Sequence, residues 1–254
     1  MNKTPLKSIF LANALIFGVL TAGNATAIPL LQLYIEGATH DASGGGWYIP
    51  GHNFRLWTIG NLTGPGGTNG LPITDVRLAV VYDDPAPGTN VTITFTPVTI
   101  GLNGQYGGFT DPSVPLPPTF LRTVADGSTP VIGDNRRLPS HGQYGPGRTW
   151  QEFALGDITF PDSQLADFVA SFPAPIASSA AQINAYDVHV YGADAHFDLY
   201  GQVTDSRGRI SYVFAPPGRD ATDGPAIVPL PATLALLGIG ALGLGACRRR
   251  PAPI

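Results

Sequence analysis

Hydrophobic residues recur at every second position along much of this chain. Between 31 and 35, Leu31, Leu33 and Ile35 fall on one face while Gln32 and Tyr34 fall on the other, the period of a half-buried strand. Similar runs occupy 54–59, 73–82, 91–100, 150–160, 182–191, 195–203 and 210–214. At 91–100, Val91, Ile93 and Phe95 alternate with Thr92, Thr94 and Thr96, as on a strand wetted on one side. Eight such runs, with no repeat of fixed period, predict an all-β domain: an antiparallel β-sandwich, jelly-roll-like, with long Gly/Pro-rich loops at 64–70, 104–118 and 140–147. One segment breaks the period. Leu165, Phe168, Val169 and Phe172 follow helical spacing, with Asp162 as the N-cap and Pro173 as the stop, so a short helix is expected over 162–172.

The two ends carry a different pattern. Lys3 and Lys7 precede an apolar run over 9–20, and Ala25, Thr26 and Ala27 form an A-x-A-like site, which reads as a signal peptide over 1–27 cut by signal peptidase after Ala27. Near the other end, 232–247 is an uncharged apolar stretch of sixteen residues followed at once by Arg248, Arg249 and Arg250. As a transmembrane helix it would be about 24 Å long, short of a ~30 Å hydrocarbon core by an amount that snorkelling arginines can bridge. The arginine cluster keeps its own side cytoplasmic and so places the preceding body outside. Gly238, Gly240 and Gly243 spell G-x-G-x-x-G within this stretch, but without a preceding strand or a βαβ unit they are close-packing positions rather than a dinucleotide site. Just before it, Val228, Pro229, Leu230 and Pro231 form a segment that neither helix nor central strand accommodates, extended and open to a protease.

A proline motif, an apolar helix and an arginine cluster, in that order, resemble the PEP-CTERM sorting signal, with Leu230 where the commoner form has a glutamate. The resemblance implies a Gram-negative bacterium that makes exopolysaccharide, and an exosortase-type enzyme that removes the tail. The expected path is export across the inner membrane, transient anchoring, and release to the cell surface or beyond. A plain retained membrane anchor is the alternative. The chain then divides into the signal peptide, an exported domain over 28–227 and the sorting segment over 228–254.

With the ends set apart, the charge balance sharpens. Both lysines lie in the first segment and three arginines in the last, so the body holds nine arginines against all eighteen acidic residues, a formal charge of −9. Such a surface repels phosphate backbones and excludes a general nucleic-acid binder. The single cysteine, Cys247, sits in the tail, so the exported body has no disulfide.

A second resemblance covers most of 30–204. The stretches LQLYIEGATHDASGGGW, FRLWTIGN, ITDVRLAVVY, HGQYGPGRTWQEFALGDITF and INAYDVHVYGADAHFDLYGQV are similar to the choice-of-anchor N proteins, named for one exported domain that ends in different anchoring signals. That likeness implies export and anchoring, and no activity.

Candidate chemistry is sparse. Asp187, His189, Asp194, His196 and Asp198 are the densest group of metal-capable side chains, and a hairpin turning near Gly192 and Ala193 would bring them onto two faces. The competing reading is the polar face of a solvated sheet, and no metal or other cofactor is assigned. Glycoside hydrolysis requires paired carboxylates, and the two glutamates, Glu36 and Glu152, read as rim residues. No G-x-S-x-G elbow occurs, and Cys247 leaves with the tail. Trp47, Trp57 and Trp150, with Tyr48, Tyr106 and Tyr144, lie in or beside glycine-rich loops where flat rings could stack on sugars. The sequons at Asn61 and Asn90 carry no weight in a bacterial setting. The expectation is therefore a non-enzymatic surface or matrix protein, structural or adhesive, with an exopolysaccharide-binding module as first alternative and a secreted glycan-active enzyme as second.

Overall fold

A computed structural model describes residues 28–40, 46–98, 117–139, 141–168, 177–215 and 221–223. The signal peptide expected over 1–27, the sorting segment with its apolar stretch, and Tyr106 lie outside the described residues. Fifteen strands and no helix are present among the described residues: β1 (Leu31–Ile35), β2 (Thr39–His40), β3 (Trp47–Ile49), β4 (Asn53–Asn61), β5 (Ile73–Asp83), β6 (Thr92–Val98), β7 (Thr119–Val124), β8 (Val131–Ile132), β9 (Arg136–Arg137), β10 (Arg148–Ile158), β11 (Ser163–Leu165), β12 (Ala177–Tyr191), β13 (Ala195–Thr204), β14 (Ile210–Phe214) and β15 (Ala221–Asp223).

They form two large sheets. The first runs β1-β4-β12-β11, with β6 also paired to β12; the second runs β2-β3-β15-β13-β5-β10-β7, with β14 also paired to β13; β8 and β9 make a small separate ribbon. All pairings are antiparallel except that of β15 with β3. The period-two apolar residues face inward from both sheets: Leu31, Leu33, Leu56 and Ile183 on one side meet Leu78, Val80, Phe153, Phe197 and Leu199 on the other in one continuous core. Edge-to-face aromatic pairs bridge the layers, Phe54 with Phe197 at 5.5 Å and Phe95 with Phe153 at 4.8 Å between centroids. The all-β, largely antiparallel architecture expected from the alternation is thus found among the described residues, as two sheets that face one core.

Two local expectations are corrected. The helix over 162–172 gives way, in its described part, to β11, because Ser163 and Leu165 pair with Ala181 and Ala177 of β12 while Leu165 and Phe168 bury fully. A run of closely spaced apolar residues satisfies either period, and tertiary pairing decided it. The connection at Gly192 and Ala193 is not a hairpin turn either. β12 belongs to the first sheet and β13 to the second, so the chain arches from one layer to the other.

Some outer faces are wetted as the alternation suggested, as on β6, whose threonines at 92, 94 and 96 are exposed, and on β12 at Asp187 and His189, but others are covered. All five residues of β1 are buried. Gln32, on its outer side, donates to the Ala166 carbonyl at 3.0 Å and accepts from the Phe168 amide at 3.2 Å, so 165–168 lies over the first sheet. A second segment, described at 126–139 and 141–147, lies over the second sheet and creates the site described next.

Candidate functional site

The pleat of β13 sends Phe197 and Leu199 into the core and His196, Asp198 and Tyr200 to the other face. Antiparallel register sets His196 opposite Val81, Asp198 opposite Ala79 and Tyr200 opposite Arg77 on β5; Glu152 of β10 stands opposite Ala79 on its other flank and opposite Arg122 of β7. Ala79, a small residue between larger ones, leaves room above the sheet. Ile132, Leu138 and Tyr144 fill it, packing with Val81, Trp150 and Tyr200 in a second apolar cluster. This cover buries polar groups that the sheet alone would leave wet, and each therefore requires a partner.

The first polar network centres on Glu152, which is only 1 % exposed. One carboxylate oxygen receives Arg122 Nε at 2.7 Å; the other receives Arg77 Nη1 at 3.4 Å and the Tyr200 hydroxyl. Arg77 is in turn held by Asp75 through two bonds of 2.9 Å, and the Arg122 guanidinium stands 5.1 Å over the Trp150 ring. Burial, with the Glu152 charge alongside, pushes the Tyr200 phenol well above its ordinary value. Glu152 is a buried carboxylate with both oxygens partnered, not the rim residue its sequence context suggested. Glu36, by contrast, is half exposed, where its carboxylate receives the Trp57 indole at 3.3 Å.

The second network joins the cover to the sheet. His141 Nε2 lies 3.2 Å from His196 Nε2 and 3.1 Å from Asp198 Oδ1, and His196 Nε2 lies 3.3 Å from the same oxygen. Asp198 Oδ2 receives the Tyr144 hydroxyl at 2.5 Å, and His141 Nδ1 faces the Pro139 carbonyl at 2.9 Å. Burial by itself would raise the Asp198 carboxyl, but the charge and hydrogen bonds of the two histidines outweigh it and hold the group well below the usual carboxylate range. For His141 burial acts downward, and Asp198 with the Pro139 carbonyl reverses it, leaving the imidazole raised. A cavity of about 10 Å³ adjoins this group, lined by Leu138, Pro139, His141, Asp198 and Ala215.

Of the five metal-capable residues expected on one hairpin, only His196 and Asp198 meet. Asp187 and His189 stand on β12 in the other sheet, where Asp187 binds Arg55 at 2.9 Å and His189 is exposed, and Asp194 is exposed in the arch between them. His141, which completes the cluster, gives no periodic signal from its glycine-rich loop, and Tyr144, expected as a stacking ring, instead donates to Asp198. The tryptophans are corrected too: Trp47, Trp57 and Trp150 are 7 %, 7 % and 2 % exposed. Trp47 and Trp57 pack edge-on around Tyr34 at 4.8 and 5.4 Å, and the Trp150 indole donates to the Ser128 carbonyl at 2.7 Å beneath Arg122. An open groove of about 500 Å³ at the sandwich end is lined by Tyr82, Asp84, Asn90, Thr123 and Gln151, among others. Its ring, Tyr82, is 3 % exposed and receives Gln151 at 3.0 Å, so it offers no stacking face.

Beyond the sandwich, residues 228–250 match the PEP-CTERM protein-sorting motif. The chain carries that sorting motif. It marks an exported, exosortase-targeted protein, held at the membrane before sorting. No curated protein and no solved structure matches the chain. The PEP-CTERM match covers the tail and not the sandwich, so it bears on destination and leaves the work of the body to be read from its own geometry.

Proposed function

We propose that the chain is a surface or extracellular-matrix component, structural or adhesive, delivered by exosortase processing and acting without catalysis of its own. The observation that carries the reading is the sorting motif standing after a self-contained sandwich, an address attached to a body. The buried carboxylates support it. Both oxygens of Glu152 and both of Asp198 are taken by cations, imidazoles or tyrosine hydroxyls that fasten a covering segment, an arrangement suited to holding a shape rather than moving protons to a substrate. The buried tryptophans withdraw the feature that favoured a sugar-stacking platform.

The test is intact mass of the native protein from cells and medium, in a normal strain and in one lacking the exosortase. A shorter species on the surface or in the medium, replaced by a longer membrane-bound one in the mutant, is expected. Recovery of the uncut chain from cytosol in both strains would sink the delivery. Deleting the chain should also weaken cell–cell or cell–matrix cohesion, and unchanged cohesion would sink the role.

A further inference from the structure

We propose that His141, His196 and Asp198 form a binding site for one divalent transition-metal ion of the zinc class, which staples the cover at 126–147 to the eight-stranded sheet. Three facts converge on it. The three facing atoms, two imidazole Nε2 and one carboxylate oxygen, are separated by 3.1, 3.2 and 3.3 Å, a nearly equilateral triangle. With metal–ligand bonds of about 2.0–2.1 Å, one face of a coordination tetrahedron has edges of about 3.3 Å.

The supporting shell has the right polarity. The Pro139 carbonyl only accepts, so His141 Nδ1 carries a proton, and in the neutral form of the ring the Nε2 lone pair faces the Asp198 carboxylate. Two electron-rich atoms 3.1 Å apart in a buried place require a cation between them or a second proton on the ring. The Tyr144 hydroxyl on Asp198 Oδ2 orients the carboxylate as outer partners of metal ligands do. The adjoining cavity of about 10 Å³ has room for one water, a fourth ligand. Two imidazoles disfavour calcium or magnesium, which take oxygen ligands, and favour zinc.

The role is structural. The cavity admits water and no substrate, and the three ligands come from two places, the loop after β9 and strand β13, which the ion would cross-link. A body without cysteine, in a compartment that permits disulfides, gains from a metal what others gain from such bridges.

The experiment uses the untagged full chain in detergent, stripped with chelator and titrated with Zn²⁺ and with Co²⁺. One ion per chain is expected, with the visible ligand-field bands of tetrahedral Co²⁺, and zinc at a hundred times its dissociation constant should raise the melting temperature by roughly 5–10 °C. His141→Ala, altered on the cover rather than in the sheet, should abolish all three effects; His189→Ala should keep them. A wild-type stoichiometry near zero overturns the site, as does undiminished binding by His141→Ala. Protonation of His141 in place of a metal would show itself as the first of these outcomes.

Discussion

At the residue scale, both polar networks are buried, and removing one partner costs more than the contact itself because the groups left behind lose their solvation as well. Glu152→Gln keeps the shape and removes the charge that Arg77, Arg122 and Tyr200 face. It should destabilise the fold by about 1–3 kcal/mol in denaturant unfolding; an unchanged midpoint would mean the network is dispensable. The histidine cluster has a pH signature in the metal-free chain. Asp198 is lowered in the folded state, so its contribution is present above about pH 4 and fades as acid approaches the lowered value; His141 is raised, so its contribution is present below about pH 6.5 and fades as pH climbs through the raised value. Chelator-treated protein should therefore melt lower at pH 8 than at pH 6. The gain from added zinc should grow over the same interval as the imidazolium proton ceases to compete. A pH-independent melting curve for the stripped chain would contradict this balance.

At the scale of elements, the packing partners make sharp predictions. Phe54→Ala removes a ring that bridges the layers onto Phe197, and should cost about 3–5 kcal/mol by thermal or denaturant unfolding. Gly127, at φ +68, approaches the Gly145 backbone so closely that a Cβ would overlap its carbonyl oxygen. Gly127→Ala should therefore loosen the cover, seen as faster hydrogen exchange over 126–144 with β4 and β12 unchanged. Uniform exchange across both regions would show the cover to be no separate unit. Each of the eight strands read from alternation lies in place, because one face of each is apolar and the sandwich interior selects it. β2, β3, β7, β8, β9, β11 and β15 were not legible. β2, β3, β8, β9 and β15 have two or three residues each, β7 is exposed for most of its length, and β11 borrows its strand character from Ala177 and Ala181 of β12. The site was half legible for the same reason. His196 and Asp198 stand out on a periodic strand, whereas His141 and Tyr144 reach them from a loop whose path depends on glycine turns.

At the scale of the whole molecule, period two says which residues share a face but not what lies upon it. His196, Asp198, Gln32 and Glu152 read as solvent-facing, and two covering segments place them inside. The acidic body precedes a basic tail, and the PEP-CTERM match lies in that tail. Pro229→Ala alters the matched motif before the apolar stretch, and should leave more of the longer, membrane-bound species in a mass comparison with the normal chain. Equal processing of both would place the recognised feature elsewhere in the motif.

The last described strand has a mechanical corollary. β15 has three residues, touching β13 at His196 and Phe197 and running parallel beside β3. While the tail is still embedded, any pull between cell and surroundings enters the body through this short ladder. A tug of that kind draws β15 out from between β3 and β13 and loads the strand that bears His196 next.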